Sequence, residues 1–195
     1  SLYAESKIDS ENYIKNIANK NFKTFSMRFA TAYGVSHRTR FDLTVNSFAY
    51  EAFKTNKISV FAADTWRPYI HVNDINNIII ETIQKNNLEE NHYTFNAGFT
   101  KENFTKKQIV EKLIKHVPSL KVDYIPISND KRNYKVDFTK IEKFLGLKNE
   151  FDVSIGFKEV LDALKSKTID DKTYINSNLE SLTQFFKQNS KKLEY

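Results

Sequence analysis

Behind Tyr3, apolar positions recur near helical spacing at Ile8, Ile14, Ile17 and Ala18, which predicts a helix over Ser1–Asn19. The stretch FKTFSMRFATAYG then alternates, with Phe25, Met27 and Phe29 on one face, and predicts a strand that Gly34 ends. RFDLTVNSFAYEAFKTNK predicts a loop followed by a helix from about Val45. ISVFA and RPYIHV predict short strands around a turn at Asp64–Thr65. Ile75, Ile78, Ile79 and Ile83 mark a helix for which Asn73 or Asp74 can serve as the cap.

HYTFNAG predicts a strand ending at Gly98. Thr105 and Gln108 have the spacing of a capping box, and behind them Ile109, Leu113, Ile114 and Val117 form a stripe stopped by Pro118. KVDYIPI predicts another strand. A second capping box, Thr139 with Glu142, predicts a short helix that Gly146 closes. Ser154 is the expected start of a helix carrying Val160, Leu161 and Leu164, and NSNLESLTQFFKQ reads as a terminal amphipathic helix. Strands alternating with helices predict an α/β fold.

Composition narrows the function classes. Hydrophobic residues make up 40% of the 195, with 16 Phe and 10 Tyr, which supports a packed core and excludes wholesale disorder. Cysteine is absent, so neither a disulfide framework nor a thiolate metal site is available. No metal site is predicted, and a cytoplasmic setting is expected. The densest apolar run, Ile75–Ile83, is far short of the ~20 residues that span a bilayer, so no membrane role is expected. The net charge of +6 comes from lysines spread along the chain, a solvated surface rather than a nucleic-acid face.

Tyr3 and Lys7 lie one helical turn apart and share a face. A free phenol, with a pKa of ~10, is a poor base at neutral pH. A neighbouring ammonium favours the phenolate, which can then exchange a proton with a hydroxyl or ketone. Tyr50 and Lys54 have the same spacing, so the pair alone does not choose between them. His71 alternates with Ile70 and Val72 and reads as a packed strand histidine, and Trp66 as packing. The four glycines, Gly34, Gly98, Gly146 and Gly156, form neither GxGxxG nor a P-loop, and no HExxH or GxSxG occurs.

Context chooses between the two pairs. YAESK, then MRFATAYG, RFDLTVNSF, VFAADTWRPYIHVNDI and DKRNYKVDFTKIEKFLG follow in an order that resembles the extended short-chain dehydrogenase/reductases of the nucleotide-sugar epimerase/dehydratase family. The resemblance runs from Ser1 to about Leu164. It implies the end of a Rossmann-like NAD(P)-binding fold over 1–34, a smaller α/β substrate region over 35–165 with segments returning to the cofactor sheet, and a helical extension over 166–195. It implies an NAD(P)-dependent epimerase, dehydratase or dehydrogenase moving hydride at a sugar carbon, C4. Tyr3 would be the acid/base and Lys7 would hold the nicotinamide ribose, with Ala30 near the cofactor. Thr31, Asn46, Arg67 and Arg132 would meet the substrate, the two arginines clamping its diphosphate.

The family's glycine-rich loop and catalytic Ser/Thr precede the tyrosine, so NAD, with NADP left open, would be bound mainly by an N-terminal half absent here. The chain alone is expected to be inactive, and its first strand to lack sheet neighbours. The implied partners are a nucleotide-diphosphate sugar and a second copy docked through the YxxxK helix. The alternative is a non-catalytic nucleotide-sugar-binding module.

Overall fold

The computed structural model describes residues 2–126 and 132–169. In chain order the elements are α1 (Leu2–Ile17), β1 (Thr24–Phe29), β2 (Thr31–Tyr33), α2 (Thr44–Thr55), β3 (Lys57–Phe61), β4 (Trp66–His71) and α3 (Val72–Gln84). They continue with β5 (His92–Ala97), β6 (Asn103–Thr105), α4 (Lys106–Ile114), β7 (Lys121–Ile125), α5 (Thr139–Leu145) and α6 (Val153–Lys165). The terminal helix read from NSNLESLTQFFKQ lies outside the described residues.

Three small sheets carry the strands. β1 runs parallel to β5, with Thr24 opposite His92 and Phe29 opposite Ala97. β4 is central in the second sheet, parallel to β2 and antiparallel to β6. β3 and β7 form a parallel pair. Parallel pairs need crossovers, and helices supply them: α3 lies between β4 and β5, and α4 between β6 and β7. The fold is mixed α/β, as the alternating pattern predicts.

Two hydrophobic cores result. One joins β1 and β5 to α3 and α5 through Phe25, Met27, Ile78, Phe95 and Ile141. Here the Phe25 and Tyr93 rings stack at 5.2 Å. The other lies between α2, α4 and α6 and takes in Ile58, Val60, Tyr33 and Tyr69. Their helices bury apolar stripes, such as Ile109, Val110 and Leu113 of α4.

The predicted strand FKTFSMRFATAYG is divided. The amide of Ala30 makes a last bond to the Ala97 carbonyl at 3.0 Å, and from Thr31 the chain pairs with β4. The partner strand turns away at Gly98, where the Phe138 ring occupies the space of a side chain, 2.9 Å from an added Cβ. Three caps also differ from expectation. His71 caps α3, its Nδ1 accepting from the Asn73 amide at 3.2 Å. Asp152 caps α6 in place of Ser154, accepting from Ile155 at 2.9 Å.

The second capping box does not form, because the Glu142 carboxylate is taken by the Thr100 amide and hydroxyl. The first box forms in full: Thr105 Oγ1 accepts from the Gln108 amide at 3.2 Å, and Gln108 Oε1 accepts from the Thr105 amide at 2.9 Å. Thr105→Ala is therefore expected to cost about 1 kcal/mol in urea unfolding. Among the described residues no helix is long and apolar enough to cross a membrane, and no cluster of three or more His, Asp or Glu could hold a metal.

Candidate active site

α1 buries none of its residues. It lies along β1 through the Thr24 hydroxyl, which donates to the Ile14 carbonyl at 3.4 Å, and through Arg28, which forks onto Glu11 at 2.7 and 2.5 Å. The hydrogen bond from Arg28, helped by its charge, holds the Glu11 carboxyl below the usual range. These contacts fix the direction of α1. As β1 ascends from Thr24 to Arg28, the helix partner moves back from Ile14 to Glu11. Tyr3, eight residues before Glu11, is carried ~12 Å further by the helical rise. The helix thus directs Tyr3 and Lys7 toward the carboxyl ends of β1 and β5, where open α/β sheets bind ligands.

Tyr3 is 73% exposed, and the Lys7 ammonium sits 5.6 Å from its ring centroid. The Tyr50–Lys54 pair has the same 5.6 Å separation. Surroundings differ where local geometry does not: the Tyr50 ring packs on Phe41 at 4.8 Å at the margin of the larger core. Of the two pairs, Tyr3–Lys7 is the one carried on α1.

Ala30 is buried at the switch between sheets. The β2–β4 ladder places Thr31 directly opposite Tyr69. Side chains alternate along a strand, so Thr31, Tyr69 and Arg67 share one face, with Arg67 two positions from Tyr69. Arg67 is buried, donates to the Trp66 carbonyl at 2.7 Å and lies over the Tyr134 ring at 5.3 Å. The segment after Arg132 is sewn to this strand. Asn133 Oδ1 accepts from the Trp66 amide at 2.9 Å, and the Tyr134 amide donates to the Trp66 carbonyl at 3.4 Å. Two arginines far apart in sequence therefore come to the same end of β4. Arg132 is exposed. Trp66 itself carries Lys135 at 3.6 Å from its ring centroid.

Asn46 is buried and spoken for. Its Oδ1 accepts from the Gly34 amide at 3.0 Å, and its Nδ2 donates to the Arg40 carbonyl at 3.1 Å, tying the loop after β2 to α2. His71 is fully buried, as its alternation predicts. Because Nδ1 accepts from Asn73, Nε2 carries the proton and donates to Glu159 at 2.8 Å.

Some polar residues here were not singled out in the sequence. Tyr69 is completely buried, and burial pushes the phenol up to about 12 against the pull of Thr44. An open hollow of about 240 Å³ lies between Asp42, Thr44, Ser47, Ser59, Phe61 and Lys106. Asp74 and Glu102 are also buried. Asp74 reads in the sequence as a candidate cap, and nothing in the sequence around Glu102 marks it as buried.

A helix lying along one strand of a parallel pair, beside a second α/β layer, is the arrangement of the closing part of a Rossmann-like fold. The family model for the NAD dependent epimerase/dehydratase family matches residues 1–98, and the chain belongs to that family. Solved structures agree on the fold. RMD from Pseudomonas aeruginosa complexed with NADPH is 14% identical, with a TM-score of 0.71 over 85% of this chain and 56% of that one. UDP-glucose 4-epimerase from Thermotoga maritima with UDP-glucose is 21% identical, TM-score 0.68, over 86% of this chain and 54% of that one. L-threonine dehydrogenase from Phytophthora infestans is 21% identical, TM-score 0.70, over 85% and 56%. The chain spans about half the length of these structures.

Proposed function

We propose that this chain is the substrate-binding and proton-transferring portion of an NAD(P)-dependent nucleotide-sugar epimerase, dehydratase or dehydrogenase. The observation that carries the reading is the placement of Tyr3 and Lys7 toward the same strand ends beyond which Thr31, Tyr69 and Arg67 share a face. The nicotinamide, when bound, accepts and returns a hydride. The residues present fit only the ribose end of that cofactor: an ammonium and a phenol one turn apart on an open helix face, with no glycine-rich turn in the sequence. Tyr3 takes the proton from the hydroxyl on the oxidised carbon, C4 of the sugar, and Lys7 hydrogen-bonds the ribose. Thr31 donates to the sugar. Arg67 and Arg132 grip the diphosphate, and Asn46 acts on the substrate through the Gly34–Arg40 loop it holds. The chain on its own is inactive, because the cofactor's pyrophosphate has no cradle here. The division at residues 34 and 165 follows the same reading, as do a cytoplasmic setting and a dimer through α1.

The match to an enzyme named for L-threonine shows that fold alone does not set the substrate. The paired arginines favour a diphosphate. Isothermal titration with UDP-, GDP- and dTDP-sugars tests this. Arg67→Ala should weaken the best binder roughly 10–100-fold, the worth of a charge-assisted hydrogen bond. Unchanged affinity for every nucleotide sugar would remove Arg67 from the site. A second reading is a nucleotide-sugar-binding module without catalysis. The two part on NAD(H): a catalytic portion joined to a cofactor-binding half binds it, and a pure module does not.

A further inference from the structure

Tyr33, the last residue of β2, sits at the junction of four elements. Its ring meets His71 edge-on at 5.2 Å, and Gly156 of α6 packs against it so closely that an added Cβ would lie 2.5 Å from Cδ2. Its hydroxyl touches two acceptors, the Phe151 carbonyl at 2.8 Å and Glu102 Oε2 at 3.2 Å. Glu102 is 2% exposed. A phenol has one proton to give. If Glu102 is ionised, the proton serves one acceptor and the other oxygen faces a lone pair. If Glu102 carries a proton, the circuit closes: Glu102 donates to the Tyr33 oxygen, and Tyr33 donates to Phe151.

We propose that Glu102 is protonated in the folded chain and that its ionisation unlatches the 149–151 segment from Tyr33. The surroundings agree. Burial, foremost, raises the Glu102 carboxyl to about 7, with Asp152 adding to this while the Tyr33 bond, Lys112 and Lys101 oppose it. Tyr33 is itself driven upward by burial and by Glu102, Asp74 and Asp152, so it remains a donor throughout. Asp152 is committed to capping α6. Asp74 reaches the same segment from the other side, accepting from Asn149 Nδ2 at 2.8 Å and the Phe151 amide at 3.3 Å. Burial raises Asp74 too, against the pull of these donors. His71 beside them is paired with Glu159 and stacks on Phe151 at 4.8 Å. Among these groups, Glu102 is the one that shares a single proton with a competing acceptor. The segment it controls is bonded to Asp74 in the first turn of α3 and leads into α6.

The folded state binds the Glu102 proton more tightly than the unfolded chain, whose value is near 4.5. Its contribution is complete below that pH, is lost as pH rises through about 7, and stays lost above. Thermal unfolding of the 195-residue chain at pH 5 and pH 8.5 tests this. Glu102→Gln keeps a neutral donor at all pH values. It should melt close to the parent chain at pH 5 and several degrees above it at pH 8.5. The same pH dependence in both proteins would overturn the proposal. A second measurement needs no variant: hydrogen exchange of the parent chain, corrected for the intrinsic rate. Amides over 149–156 should lose protection between pH 5.5 and 8 while those of α4 keep theirs. Protection unchanged across that range would also overturn it.

Discussion

Joined to a cofactor-binding half, the enzyme carrying Tyr3→Phe is expected to lose roughly 10²–10⁴-fold in turnover, the usual worth of a positioned acid/base. The substitution removes one oxygen from a side chain that is 73% exposed, so it leaves the fold alone. NAD(H) affinity should stay within a few-fold, because Lys7 remains. Steady-state kinetics with a nucleotide sugar and titration with NADH separate the two effects. Tyr50→Phe is the control, since Tyr50 and Lys54 reproduce the local geometry of Tyr3 and Lys7 while packing on Phe41. Full turnover in Tyr3→Phe would discard the assignment. A larger loss in Tyr50→Phe would show that the wrong pair was chosen.

The largest stability effect is expected at Gly34, which ends β2 with φ +106°. That backbone conformation resists any side chain. A Cβ there would also approach the buried His71 ring, with Cδ2 at 2.8 Å. His71 cannot step aside, because both its nitrogens are bonded and Phe151 stacks on it. Strain and overpacking together give Gly34→Ala a cost of roughly 3–5 kcal/mol in denaturant unfolding. Gly156→Ala makes a sharp comparison. In most helix interiors that change gains about 1 kcal/mol, whereas here the Tyr33 ring should reverse the sign. A stabilised Gly156→Ala would mean that Tyr33 has room to move, and the tightness of the whole junction would be in question.

Periodicity located α4 and α6 well because each buries a stripe, as α4 does with Ile109, Val110 and Leu113. It failed where one side chain has several possible partners. Asp74 has the position of a cap, yet donors 75 residues away at Asn149 claim it, and His71 caps instead. Glu142 has capping-box spacing, yet Thr100 claims it. Such choices are made by tertiary neighbours, which local spacing does not contain. The same limit applies to the candidate site. Two YxxxK pairs are equal in spacing and in ring–ammonium distance; the direction of α1 along β1 and the packing of Tyr50 on Phe41 separate them. The proton shared by Tyr33 and Glu102 joins residues 69 apart and leaves no trace in any window of sequence.

α1 carries the proposed acid/base and yet buries nothing, leaving Leu2, Ile8, Tyr13 and Ile17 facing outward. A helix tied to β1, among the described contacts, through the Arg28 fork onto Glu11 and a weak hydroxyl contact belongs at the low end of local opening free energies. A surface docking on that face would have to order the helix that carries Tyr3 as it bound. Its measured affinity is then lowered by the fraction of time α1 spends open. A substitution in α1 that favours helix formation, such as Ser10→Ala, would tighten such docking by lowering the cost of ordering the helix.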